Sequence, residues 1–285
     1  MTIEIGILAP GLERHSSGIW FARSRAEVSY PEGGHVACLA VEENSFWFRH
    51  RNRCIAEVVG RFRPTGALLD IGGGNGYVAR GLLRAGIDCA LIEPGLAGAR
   101  AAHARGVEPV ICARLEDAGF RPGSFAAAGL FDVLEHIEDE SAVLEEIGAL
   151  LMPGGRLFVT VPAYQTLFSP DDVAAGHYRR YSPSRLANAL KGAGFRVEYQ
   201  TCLFWPLPLP VLLFRTLPGW FGRGQGKDPE SASAEHTPTG LMARLMDRAL
   251  AYEGAMIARG GRLPFGGSCL AVARREPTAG EIGQL

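Results

Sequence analysis

An excess of charge of either sign is missing from this sequence. Its 29 lysines and arginines stand against 30 aspartates and glutamates, a net charge of −1, so the basic face that holds a polyanion is not expected and nucleic acid is excluded as a partner. Closely spaced cysteines are missing too. The six present (Cys38, Cys54, Cys89, Cys112, Cys202, Cys269) include no C-x-x-C pair, and several sit in apolar runs, which fits small hydrophobes in a reduced, cytoplasmic protein. His35 and Cys38 without a second pair do not make a zinc site. No uninterrupted run of about 18 apolar residues occurs, so no membrane span is expected. Met1 to Gly18 lacks a basic start followed by an apolar block, so no secretory signal is expected either. Internal repeats are absent. With 47% hydrophobic and 21% charged residues, the 285-residue chain reads as one α/β catalytic domain with decorations.

What the sequence does contain is the run Leu68-Leu69-Asp70-Ile71-Gly72-Gly73-Gly74-Asn75-Gly76, in which a short apolar strand delivers an acid and then a glycine loop to a helix start. Glycines let backbone approach a ligand and take φ values that a Cβ forbids, while Asp70 places a carboxylate at the strand's carboxyl end. A dinucleotide loop needs G-x-G-x-x-G, yet after Gly72 and Gly74 the third position is Tyr77. The match is to G-x-G-x-G, ending at Gly76, and the carboxylate argues against a pyrophosphate.

From Gly66 to about Gly194 short apolar runs alternate with helix-like stretches, the signature of βαβ units and a parallel sheet. Strands are predicted at Ala67–Ile71, Cys89–Glu93, Pro109–Ala113, Ala126–Phe131 and Arg156–Val161, and helices at Tyr77–Ala85, Leu96–Arg105, Glu140–Leu151 and Pro183–Ala193. Met152-Pro153-Gly154-Gly155 predicts a compact turn ahead of the fifth strand. Two further strands are predicted at Phe195–Thr201 and Ser268–Arg274. The core is thus residues 63–202 and 267–276, behind an N-terminal cap over 1–62 in which a helix opens at Ser45-Phe46 and runs to Phe62. The insertion 203–266 holds a proline-punctuated apolar stretch, Leu203–Phe221, with Trp205 and Trp220. A flexible Gly/Ser/Pro connector at 222–240 and a helical stretch, Leu241–Ala258, complete it.

Glu93 ends the second strand 23 residues after Asp70, where a doubly wound sheet presents an acid to a ribose diol; its plain alternative is a solvated acid before the Pro94-Gly95 turn. The third strand continues into Ala113-Arg114-Leu115-Glu116-Asp117. Here the backbone of Leu115 and a carboxylate at Glu116 or Asp117 are placed to read an adenine edge, or to cap a turn. The fourth runs into Leu130-Phe131-Asp132-Val133-Leu134-Glu135-His136. With the glycine loop, the strand-end acid, this D-V-L-E-H run and the P-G-G turn in that order, the chain resembles the class I S-adenosylmethionine-dependent methyltransferases. The resemblance is to the large bacterial group with these motifs. It implies a doubly wound, Rossmann-like, seven-stranded and mostly parallel sheet with its last strand antiparallel, and S-adenosylmethionine held by Asp70, Gly72, Gly74, Gly76, Glu93, Leu115, Glu116, Phe131 and Asp132. One departure is Ala126, after Phe125, where the family often has an acid.

Phe46-Trp47-Phe48-Arg49 and Asp172-Val173-Ala174-Ala175-Gly176-His177-Tyr178-Arg179-Arg180-Tyr181 resemble a narrower subgroup commonly linked with cell-envelope glycans, lipids or secondary metabolites. The second segment follows the fifth strand at the sheet's carboxyl edge, where ligands bind. A histidine beside arginines and tyrosines suits an anionic or polyhydroxylated acceptor, so Trp47, Arg49, Asp172, Tyr178, Arg180 and Tyr181 are the expected acceptor contacts. His177 is the first candidate general base and His136 the competing one; otherwise the enzyme only orients an already nucleophilic acceptor. Asp171 and Asp172 with a histidine would make a metal site, but adjacent aspartates diverge on an extended chain, so none is expected. The expected activity is methyl transfer to a small-molecule, glycan or lipid-linked acceptor, at oxygen rather than nitrogen. The alternatives are a non-catalytic S-adenosylmethionine-binding protein and a nicotinamide-dependent oxidoreductase on the same fold. The apolar stretch 203–221 reads as a lid or as a peripheral membrane contact, and the sequence carries no signal for oligomeric state.

Overall fold

The computed structural model describes residues 3–22, 42, 45–208 and 240–277. Its strands are β1 (Leu12–Arg14), β2 (Trp20–Ala22), β3 (Leu68–Ile71), β4 (Cys89–Ile92), β5 (Val110–Cys112), β6 (Phe125–Phe131), β7 (Leu151–Pro162), β8 (Phe195–Leu203) and β9 (Ser268–Arg275). The longer helices are α1 (Phe46–Arg61), α2 (Tyr77–Arg84), α3 (Leu96–Ala104), α4 (Glu140–Leu150), α5 (Pro183–Gly192) and α6 (Gly240–Ala258). One sheet runs β1-β2-β5-β4-β3-β6-β7-β9-β8. The pairs from β2 through β7 are parallel, while β9 is antiparallel to both β7 and β8, as expected for the last strand.

Two strands exceed the seven expected. The stretch assigned wholly to an N-terminal cap contributes the β1–β2 hairpin, which joins the sheet through β2 against β5. Each of these strands has three residues, too short for alternation to show in sequence. A second correction concerns Met152-Pro153-Gly154-Gly155. These residues lie inside the span of β7 and bulge from its ladder, since Phe125 faces Leu151 and Ala127 next faces Arg156. Gly154 takes φ +75°, which a bulge of this kind favours.

Each face of the sheet is covered. Leu69, Ile71, Leu130 and Val159 pack with Leu144 and Ile147 of α4 and Leu186 and Leu190 of α5. On the other face Leu68, Leu91, Ala127 and Phe158 pack with Cys54 and Val58 of α1, Leu82 of α2 and Leu250 and Ile257 of α6. Burial on both faces explains why β4 and β6 are continuous apolar runs rather than alternating ones, and why β3 is broken only by Asp70.

The insertion is tied to the cap by one buried acid. Glu253 of α6 accepts the amides of Phe204 (2.7 Å) and Trp205 (2.9 Å) and hydrogen-bonds His50 of α1 (2.7 Å). Phe204 stacks on Trp47 with ring centroids 5.3 Å apart. Of the 203–221 stretch only residues 203–208 are described; Trp220, most of the 222–240 connector, His35 and Cys38 lie outside the described residues. Among the described residues no helix is long and apolar enough to cross a membrane.

Candidate active site

The strand order turns outward in both directions between β3 and β6, and open α/β sheets bind ligands in the crevice at that switch point. Asp70, Gly72, Gly74 and Gly76 come to it from β3, Glu93 from β4, Phe131 and Asp132 from β6. Gly72, Gly74 and Gly76 have φ of +66°, +53° and +72°. The three differ in surroundings: a Cβ on Gly76 would strike the Ala102 backbone at 2.9 Å, while one on Gly74 would meet nothing within 4 Å. Gly76 therefore serves packing, and Gly74 faces open space where a ligand fits.

Asp70 is 1% exposed, and neither of its carboxylate oxygens has a hydrogen-bond partner within ordinary distance and angle. Burial pushes its pKa up to about 7; the Arg51 charge opposes the rise, Glu93 adds to it, and the nearby Ala79 amide offsets part of it. A buried carboxyl lacking its normal partners is suited to a cationic donor such as an ammonium group. Glu93 is also buried and accepts the amides of Gly74 (2.9 Å) and Gly95 (2.7 Å), which locks the glycine loop to the end of β4. Leu115 follows β5 with its side chain in the core, whereas Glu116 is exposed and paired with Arg114 at 3.6 Å.

Arg51 is the hub that connects the cap to this edge. Its guanidinium pairs with Asp132, lies 4.7 Å over the Trp47 ring, and offsets the negative charge of Asp70 and of Glu135. Asp132 is held from the other side by the Thr160 hydroxyl at 2.9 Å and sits at φ +58°, an uncommon conformation outside glycine. Arg49, the arginine expected to contact an acceptor, is exposed on the opposite side of α1.

Beyond Asp132 the chain forms a single turn, Leu134–His136, that meets the segment after β7. His136 and His177 stand ring to ring, 4.6 Å apart and nearly perpendicular. His177 Nδ1 is 2.8 Å from Asp172 Oδ1. Asp172 is 2% exposed and gripped twice by Arg180, at 2.8 and 3.0 Å, with the Ser169 amide at 2.8 Å. Burial would raise its pKa, but the hydrogen bonds from His177 and Arg180 outweigh that and hold the carboxyl well below its usual range. A permanently ionised Asp172 fixes the His177 ring and leaves Nε2 to accept a proton. Beside it, burial and the His177 charge bring the His136 pKa down to about 4. Burial pushes Glu135 up to about 8, although its own backbone and the charges of Arg51 and Arg180 pull the other way. Near pH 7 the wall is therefore a protonated Glu135 and a neutral His136 next to an oriented His177.

Three expected acceptor contacts are spent on structure. Asp172 and Arg180 hold each other and His177, and Tyr181 is fully buried with its hydroxyl on Glu140 at 2.5 Å. Tyr178 is 52% exposed at the rim. Glu135 is the member of this wall to which no role attached in sequence; a lone acid between Leu134 and His136 in an apolar turn was the available signal. Among the described residues two groups bring three metal-capable atoms within 4.8 Å: Glu135 with His136 and His177, and His50 with Cys54 and Glu253. The second is already consumed by hydrogen bonds to Phe204 and Trp205. In the first, an ion would have to displace the Glu135 proton.

Fold, glycine loop, strand-end acids and edge histidines together define a class I S-adenosylmethionine-dependent methyltransferase. The chain belongs to the methyltransferase domain family, whose model matches residues 43–200. It is 29% identical over 161 residues to the ubiquinone biosynthesis O-methyltransferase of Xanthomonas axonopodis pv. citri, covering 50% of this chain and 67% of that one. The homologous enzyme of Xanthomonas euvesicatoria pv. vesicatoria is 28% identical over 150 residues, or 46% of this chain and 63% of its own. Two solved structures share the fold. A possible histamine N-methyltransferase from Thermotoga maritima has a TM-score of 0.53 and 16% identity, covering 86% of this chain and 100% of that one. Phosphoethanolamine N-methyltransferase 2 of Haemonchus contortus, solved with S-adenosylmethionine, has a TM-score of 0.52 and 19% identity, covering 88% and 59%. The methyl donor is thus S-adenosylmethionine, and the family sets aside the nicotinamide reading. The unpartnered Asp70 carboxyl and the open face of Gly74 fit a ligand that ends in an amino acid.

Proposed function

We propose that this enzyme methylates a hydroxyl group on a small-molecule, glycan or lipid-linked acceptor, with His177 as general base. S-adenosylmethionine supplies the methyl carbon and a sulfonium leaving group, so the work left to the protein is alignment and removal of the acceptor's proton. Asp70, Glu93 and the Gly72–Gly76 loop hold the donor, and Arg51 offers a cation at the same edge. The observation that carries the reading is the Asp172–His177 contact of 2.8 Å, with Arg180 behind it, facing His136 at the carboxyl edge of the sheet. Asp172 holds the ring, stabilises the imidazolium once the proton has moved, and itself stays ionised. A base held in this way suits a hydroxyl whose proton must leave; an amine attacks with its own lone pair. The activity for which the Xanthomonas relatives are named, O-methylation in ubiquinone biosynthesis, supports oxygen as the atom modified.

The test uses methyl-labelled S-adenosylmethionine with an extract of the source cells, followed by partition of the label. Label in an organic or a small-molecule aqueous fraction, linked through an ether oxygen, is the expected result. His177→Ala should lower turnover of that acceptor by about 10²–10⁴-fold while S-adenosylmethionine binds as before. Label on protein or nucleic acid, or a His177→Ala enzyme that keeps most of its turnover, overturns the reading.

A further inference from the structure

The cysteines that looked scattered in sequence do not all remain apart. Cys202 of β8 and Cys269 of β9 are directly opposite each other in an antiparallel ladder. Both are fully buried and both belong to the same cluster beneath α5, so their side chains share one face of the sheet. The Cys202 amide turns away from β9 and donates to the Leu263 carbonyl at 3.0 Å. That makes the two residues a non-hydrogen-bonded pair, the kind in which facing Cα atoms approach to about 4.5 Å and side chains lie closest. A disulfide spans Cα atoms about 4.4–6.8 Å apart, so this pair meets the requirement with little backbone movement.

We propose that Cys202 and Cys269 are a redox-modification site that closes to a cross-strand disulfide under peroxide. Cys269 Sγ donates to the Tyr181 carbonyl at 3.5 Å, with the Cys202 side chain on the same face of the ladder directly opposite. Cys269 keeps its proton on the Tyr181 carbonyl, and Cys202 is the one of the two that borders the surface cavity described next, which assigns Cys202 as the attacking sulfur; its neighbour Cys269 also draws the Cys202 thiol below its ordinary pKa. A surface cavity of about 280 Å³, lined by Cys202, Thr201, Gln200, Pro183, Leu263 and Pro264, brings solvent up against the residue whose thiol is itself buried, so a small oxidant has one residue's thickness to cross. The Cys202 thiolate attacks one peroxide oxygen, the O–O bond breaks, and hydroxide leaves with a proton from solvent as water, giving a sulfenic acid. Cys269 then attacks that sulfur, its proton and the sulfenic hydroxyl leaving as a second water. Two electrons and two protons pass from the thiols to the peroxide. The bond would close a loop over residues 203–268, which contains the whole insertion, next to the segment that carries His177 and Tyr181.

Treatment of the full chain with hydrogen peroxide, quenching with N-ethylmaleimide and tryptic mapping read this out directly. Cys202 and Cys269 fall in separate peptides, 197–215 and 263–274, each with a single cysteine. The expected product is one cross-linked pair of these peptides, lighter by two hydrogens and split by a phosphine reductant. Cys54 and Cys89, equally buried but with no thiol facing them among the described residues, should stay alkylatable when the quench is made in denaturant. In Cys269→Ser the cross-link should vanish and Cys202 should be trapped by dimedone as a sulfenic acid. Should that variant fail to fold, the native chain decides alone. Cross-links between other cysteines or between chains, or Cys202 and Cys269 still alkylatable after Cys112 is consumed, overturn the proposal.

Discussion

Glu135→Gln isolates the electrostatics of the acceptor wall with almost no change of shape. Glu135 is 1% exposed and its Oε2 has no hydrogen-bond partner, so the native protein holds its proton up to about pH 8, against an ordinary value of 4.5. In the unfolded chain the same group ionises near 4.5. Between those two pH values the native state therefore carries a proton that the unfolded state has released, and stability falls as pH rises. The slope is about 1.4 kcal/mol per pH unit, or roughly 5 kcal/mol across the whole window. Glutamine has no proton to lose. The stability difference, Glu135→Gln minus parent, should start near zero at pH 4.5, climb with that slope, and level off above pH 8. Asp70 and His136 titrate in both proteins and cancel from the difference. Urea unfolding of ligand-free protein at several pH values from 5 to 9 measures it. A difference that does not change with pH would refute the claim that Glu135 is neutral in the folded site.

Glu93→Ala should leave the Gly74 and Gly95 amides without their acceptor, at about 1.5–3 kcal/mol per charged hydrogen bond, and weaken S-adenosylmethionine binding at least about tenfold by calorimetry. Binding as tight as the parent's would remove Glu93 from the donor site. Two alanine substitutions in the glycine loop should separate packing from binding. Gly76→Ala drives a Cβ into the Ala102 backbone and should lower the melting temperature strongly. Gly74→Ala pays only the positive-φ penalty of about 1–2 kcal/mol, yet it fills the open face and should abolish donor binding in a protein that still folds. Equal effects of the two on stability and binding would count against the assignment of Gly74 to the ligand side.

The sheet was legible where each strand is apolar and each helix has a stop. Helices α2, α3, α4 and α5 end within one residue of expectation because a glycine or proline follows each closely. The β1–β2 hairpin was not legible, since three residues carry no period, and the Met152–Gly155 bulge read as a turn because glycine and proline signal both. The contact of Glu253 with Phe204 and His50 joins segments far apart in sequence and left no local mark.

The candidate site divides in the same way, and the two arginines of α1 show why. Residues 49 and 51 are two positions apart on a helix, about 200° around its axis, so they cannot both face the sheet. The face was decidable: Cys54, Ile55 and Val58 are buried and lie three, four and seven positions after Arg51, the spacing of one helical stripe. Arg51 therefore belongs to the packed side although it is charged, and Arg49 to the solvent. A buried arginine on an apolar stripe has to find carboxylates, and the ones it finds are Asp132 by direct pairing and Asp70 and Glu135 by field. The stripe selects Arg51 for the packed side; the chemistry expected of Arg49 was one half-turn out of phase. The same reasoning makes the cap part of the site, because the guanidinium that pairs with Asp132 and offsets the charge of Asp70 comes from α1.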